Sequence, residues 1–192
     1  MNTYANAGQG LRKMFISMVG TIICALLAVI PYIGAVASIG ILVFSIVSMV
    51  GLYHIGKDIK ACRVAFILRT ISVIVSVAAN FVSVLGLLEL VTGLFPFVSE
   101  ILLLVSVTKV LREQGATDVA NLGKRTLVLT IAFSVATALF GIVFLGAALS
   151  DFNGMLLFMF LGCVVLLVLA ITLIVFYFKF LLNSAEAFGA YV

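Results

Sequence analysis

From Met14 to Gly56 the chain runs for 43 residues without an Asp, Glu, Lys or Arg. A stretch of that length cannot be laid on the surface of a small water-soluble domain, and one spanning helix takes only about 20 apolar residues. The run therefore predicts two membrane spans joined by a tight turn. Three more charge-free runs follow: Thr70 to Leu88 with 19 residues, Thr126 to Ser150 with 25, and Phe152 to Phe178 with 27. Composition agrees. Charged residues make up 9% of the chain, against about a quarter in an ordinary soluble domain, and the mean hydropathy is +1.41.

In lipid every backbone polar group must be paired within the protein, so a span is a helix or part of a closed barrel. Barrel strands alternate apolar and polar residues in short segments. These runs are continuously apolar, so the predicted fold class is all-α: a polytopic integral membrane protein whose six transmembrane helices form three hairpins in a single domain. The expected spans are 11–30, 35–55, 64–85, 97–111, 125–148 and 155–182. Pro31 and Gly34 make the first turn, and Ser150 to Gly154 make the last, because proline presets φ and glycine tolerates the left-handed region. Between spans two and three, Gly51 to Arg69 reads as a polar connector. Residues 86–96 read as a bend containing Glu89, residues 112–124 as a polar loop, and residues 1–10 as a short polar tail. Arg12 and Lys13 precede an apolar run, as in a signal peptide, but the run outlasts a cleavable apolar segment. A retained first helix is expected.

Threading six spans through a bilayer puts all the basic residues on one side. Arg12, Lys13, Lys57, Lys60, Arg63, Arg69, Arg112, Lys124 and Arg125 act as topology anchors there, with Lys109 and Lys179. Glu89, Glu100 and Asp151 fall on the other side, without Lys or Arg. Basic loops stay in the cytoplasm, so both termini are expected to be cytoplasmic and the membrane to be the plasma (inner) membrane. Arg12, Arg69 and Arg125 each open a hairpin, at intervals of 57 and 56 residues. That spacing is compatible with three tandem two-helix units, about 11–56, 64–112 and 125–182; the alternative is that any six-helix chain places basic residues at alternate ends.

Few residues can carry chemistry. Glu100, about 18 Å along a helix from Arg112, is an intramembrane carboxylate of the kind that marks ion or proton routes. Its structural alternative is a hydrated acid near a helix N-terminus. Asn80 lies about 16 Å beyond Arg69 and shares a helix face with Ser72, Ser76 and Ser83. Thr126, Thr130, Ser134, Thr137 and Gly141 form a similar stripe on the fifth span, and Ser38, Ser45 and Ser48 a third on the second. Such stripes line polar pathways, or they let helices pack closely and bond their own carbonyls. His54 reads as an interfacial residue beside Tyr53, and Arg69 as a side chain reaching toward head groups.

Other chemistries find no footing. Cys24, Cys62 and Cys163 show no ligand spacing, and no metal or cofactor is expected. The chain has no Gly-rich phosphate loop, metal-binding histidine pair or nucleophile elbow, so an enzyme is not expected. A net charge of +4 without a basic module excludes nucleic acid as partner. In size and six-helix layout the chain is similar to the membrane-embedded substrate-binding subunits of energy-coupling-factor vitamin transporters, a likeness of arrangement rather than of motif. Two functions are expected to compete. One is a small transport component or pore for a small solute or ion, using Glu100, Asn80, Ser76 and Ser72. The other is a structural or assembly subunit that packs against another membrane protein or a second copy of itself. The first requires a polar interior cavity, the second a sealed core.

Overall fold

The computed structural model describes residues 4–30, 33–79, 92–149 and 155–189. These form six helices: α1 (Ala5–Leu27), α2 (Gly34–Asp58), α3 (Lys60–Ala79), α4 (Phe95–Glu113), α5 (Thr117–Leu149) and α6 (Met155–Ala187). Five of them are long and apolar enough to cross a membrane. The exception is α4, whose 19 residues include Glu100, Lys109, Arg112 and Glu113. The chain is thus a helical membrane protein, and α4 carries the charges that set it apart from the five.

Several sequence-based boundaries need correction. Residues 5–10 are not a tail but the first turns of α1. They can be helical because Ala7, Gly8 and Gly10 are small enough to be buried against α2. The polar connector shrinks to Ile59, whose extended backbone (φ −118°, ψ 101°) turns α2 into α3. Polar side chains there sit on helix surfaces rather than in a loop. The polar loop at 112–124 is likewise mostly helix, because α5 begins at Thr117. Only a tight reversal separates it from α4. Gly115, at φ +81°, donates to the Arg112 carbonyl, and Ala116 donates to Leu111. That is a Schellman closure, which needs a residue tolerant of the left-handed region. Asn80, Glu89 and Asp151 lie outside the described residues.

The helices form a ring. Each packs on its neighbour in sequence, α6 returns to α1, and α4 touches α6 across the interior. The basic termini of all six helices gather at one end. There Tyr4 meets Phe188 at 5.5 Å between ring centroids, Gly10 of α1 faces Gly51 of α2, and Gly56 of α2 abuts Arg63 of α3.

The core lies at this basic end. Leu11, Leu52, Ile55, Leu111, Phe180 and Phe188 are all essentially inaccessible. Glycine and alanine allow it, since helices in lipid associate through close van der Waals contact rather than hydrophobic exclusion from water. Toward the other end the helices carry Leu, Ile, Val and Phe on all sides, and these stay exposed, Leu42 at 65% and Ile142 at 69% among them. That apolar girdle is the surface offered to acyl chains.

Candidate functional site

Just inside the basic plug the ring lines a partly open cavity of about 410 Å³. All six helices contribute to its wall. α1 supplies Met14, Ser17 and Thr21, and α2 supplies Ser45 and Ser48. Arg69 comes from α3, Glu100 from α4, Thr130 from α5 and Tyr177 from α6. The remaining lining is apolar. Arg69 lies nine residues along α3 from Lys60, about 14 Å into the bundle.

Two charges meet in this cavity. Arg69 Nη1 lies 3.9 Å from Glu100 Oε2, with each side chain somewhat over a quarter exposed. The separation is longer than a tight charge-assisted hydrogen bond of about 2.7–2.9 Å, so the pair is an electrostatic contact with room to open. Tyr177, only 6% exposed, lines the same cavity beside the Glu100 carboxylate. A partly exposed carboxylate facing one cation and one hydroxyl is compensated without being saturated, since it has about four lone-pair directions.

The helices hold these groups by specific contacts. Ser99, next to Glu100 and 1% exposed, donates to the Ala65 carbonyl of α3 at 2.9 Å. This bond ties α4 to α3 one turn from Arg69. Ser17 donates to the Phe44 carbonyl at 2.5 Å and joins α1 to α2 at the cavity wall. Gly123 of α5 packs against Thr108 of α4 and the Phe180 ring of α6, where a Cβ would collide.

The sequence-derived candidates divide. Glu100 lines the cavity. Ser72 is 8% exposed and Ser76 is half-buried, and neither lines the cavity. Of the α5 stripe only Thr130 reaches it. Thr126, Thr130, Ser134 and Thr137 each donate to the carbonyl four residues earlier, which satisfies their hydroxyls within α5. Thr137 and Gly141 are exposed. On α2, Ser45 and Ser48 reach the cavity, and Ser38 does not.

Arg69 is the largest surprise. Read from the sequence as one more anchor, it faces inward and pairs with Glu100. Its position six residues beyond Arg63 was the available signal: an arginine that deep in an apolar helix needs a partner. Tyr177, Ser17 and Thr21 were missed altogether, because isolated hydroxyls in long apolar runs carry no pattern. His54 packs beside Tyr53, with ring centroids 5.9 Å apart. Its Nδ1–H donates to the Val50 carbonyl at 2.7 Å, which leaves Nε2 to accept from the Lys13 ammonium at 3.4 Å. Among the described residues no three His, Cys, Asp or Glu side chains are placed to share a metal ion. Compared with protein-family models, curated proteins and solved structures, the chain finds no match.

Proposed function

We propose that this membrane protein is a small transport component or pore for a small solute or ion, non-enzymatic, with its pathway running through the six-helix ring past Arg69, Glu100 and Tyr177. The observation that supports this reading is the cavity itself. Six helices contribute to one chamber of about 410 Å³, largely apolar but holding two charges and several hydroxyls, and its paired charges would be costly to keep in a bilayer for packing alone. In this reading the basic end faces the cytoplasm of a plasma (inner) membrane, with both termini on that side, because basic loops resist translocation.

In use, the Arg69–Glu100 contact is the constriction. A passing ion or polar solute exchanges its own charge or dipole for one partner of the pair, while Tyr177 keeps the carboxylate oriented. Ser48, Thr21 and Thr130 supply replacement hydrogen bonds along the wall, and Met14 and Met18 adapt to shape because methionine is flexible.

The test is water access and flux. Single cysteines at Ser48 and Thr130, in a chain with Cys24, Cys62 and Cys163 replaced by alanine, should react with a small charged methanethiosulfonate in intact membranes. A cysteine at the outward-facing Val164 should not. In proteoliposomes, a panel of small ions and solutes should include at least one whose flux needs the wild-type chain and falls in Thr130→Trp. Inert cavity cysteines together with no flux across the panel would remove the reading.

A further inference from the structure

The corner between α2 and α3 forms a second cleft, separate from the central cavity. It has a volume of about 340 Å³ and is lined by Tyr53, Gly56, Lys57, Lys60, Arg63 and Phe66. Three cations and two aromatic rings thus surround a space large enough for a phosphate-bearing head group. Gly56 shapes it: a Cβ there would come within 3.0 Å of the Arg63 backbone.

Among the described residues no carboxylate forms an ion pair with Lys57, Lys60 or Arg63. The nearest carboxylate in sequence, Asp58, is turned away to α1, where it accepts from Asn6 and from the Ala7 backbone. Lys57 sits over the Tyr53 ring, 5.0 Å from its centroid. The first turn of α3 holds no acid. Like charges held together this closely favour a bound anion.

The helix below the cleft continues the same face. Lys60 and Arg63 are followed at spacings of three and four by Val64, Ile67, Ile71 and Ile74, which places all six on one side of α3. The four apolar residues are each at least 40% exposed. Two cations at the membrane-surface end of a helix, continued by an apolar track into the bilayer, match an amphiphile with an anionic head and an acyl tail.

We propose that this face is a binding site for an anionic phospholipid, with its phosphate held between Lys57, Lys60 and Arg63 and one acyl chain along Val64, Ile67, Ile71 and Ile74. Arg63 contributes a planar fork suited to two phosphate oxygens, and the lysines act as point charges. Tyr53 and Phe66 wall the head-group region at the level where aromatic rings favour the interface. The inference does not depend on the transport reading, because the cleft lies outside the ring.

Native mass spectrometry of the detergent-purified full chain tests it, with phosphatidylglycerol, phosphatidylcholine and inorganic phosphate as probes. The expected result is saturable binding of phosphatidylglycerol in preference to phosphatidylcholine, about tenfold or more weaker in the double variant Lys60→Gln/Arg63→Gln. The equally discharged Lys109→Gln/Arg112→Gln should bind as the wild type does. Equal melting of both variants in neutral detergent confirms that each is folded; if the first proves unstable, Ile67→Asn tests the acyl track instead and should weaken phosphatidylglycerol binding. Equal loss in both charge variants, or no preference over phosphatidylcholine, overturns the site. Displacement of the lipid by millimolar inorganic phosphate would assign the cleft to a soluble phosphate and overturn the lipid proposal.

Discussion

The carboxylate of Asp58, the last residue of α2, accepts a 2.8 Å hydrogen bond from the backbone N–H of Ala7 in the first turn of α1. One helix thereby caps another across 51 positions of sequence. The first N–H groups of any helix lack partners within it, and Tyr4 at the N-cap position provides no side-chain cap. A negative charge at that end also suits the helix dipole. Asp58→Ala should therefore cost about 1 kcal/mol of stability. Asp58→Asn, which keeps an acceptor, should cost less. Unfolding in mixed micelles followed by circular dichroism checks both, and equal losses would mean that the charge matters more than the hydrogen bond.

The Arg69–Glu100 pair lies between two regimes. Exposed pairs contribute about 0–1 kcal/mol, while breaking a fully buried pair costs about 3–5 kcal/mol. With both side chains somewhat over a quarter exposed, Glu100→Gln and Arg69→Leu should each destabilise by about 1–2 kcal/mol. The double variant should lose less than the sum. A double-mutant cycle in micelles measures that coupling, and strict additivity would show that the two charges act independently.

Two glycines should respond oppositely to the same change. A Cβ on Gly51 would meet the Gly10 carbonyl at 2.7 Å and Met14 at 2.8 Å, whereas a Cβ on Gly141 would meet nothing. Gly51→Ala should separate α1 from α2 and destabilise by about 1–3 kcal/mol. Gly141→Ala should be neutral or stabilising by up to about 1 kcal/mol. Melting temperatures of the purified variants give the comparison.

Hydroxyls that bridge helices should outweigh those that bond their own. Ser17 and Ser99 donate across interfaces, so replacing either with alanine should cost about 0.5–1.5 kcal/mol. Ser134 and Thr137 donate only within α5, and their alanine variants should stay within about 0.5 kcal/mol of the wild type.

Orientation is open to direct measurement. A cysteine replacing the exposed Gln114, at the basic end, should resist a membrane-impermeant thiol reagent in intact cells and react after lysis. A cysteine replacing Val29, 81% exposed at the other end, should react without lysis. The reverse pattern would invert the proposed topology.

Much of this architecture was legible without coordinates, for a physical reason. The bilayer demands long apolar helices, so hydropathy determined the all-helical membrane class, with six helices among the described residues, five of them long and apolar enough to span. The sequence also marked Glu100, because a carboxylate between apolar stretches is rare enough to stand out. What only the tertiary structure decided is which residues meet. Closing the ring turns Arg69 inward toward Glu100, brings Tyr177 to the same carboxylate from over 70 residues away, and leaves most of the α5 hydroxyls bonded to their own helix. The Gly51–Arg69 segment, polar enough to read as a loop, is helical except at Ile59, because Asp58 finds its partner on α1. In lipid the hydrophobic term does not distinguish one helix face from another. Small residues, hydrogen bonds and charges choose the faces, and those choices depend on neighbours that no single helix encodes.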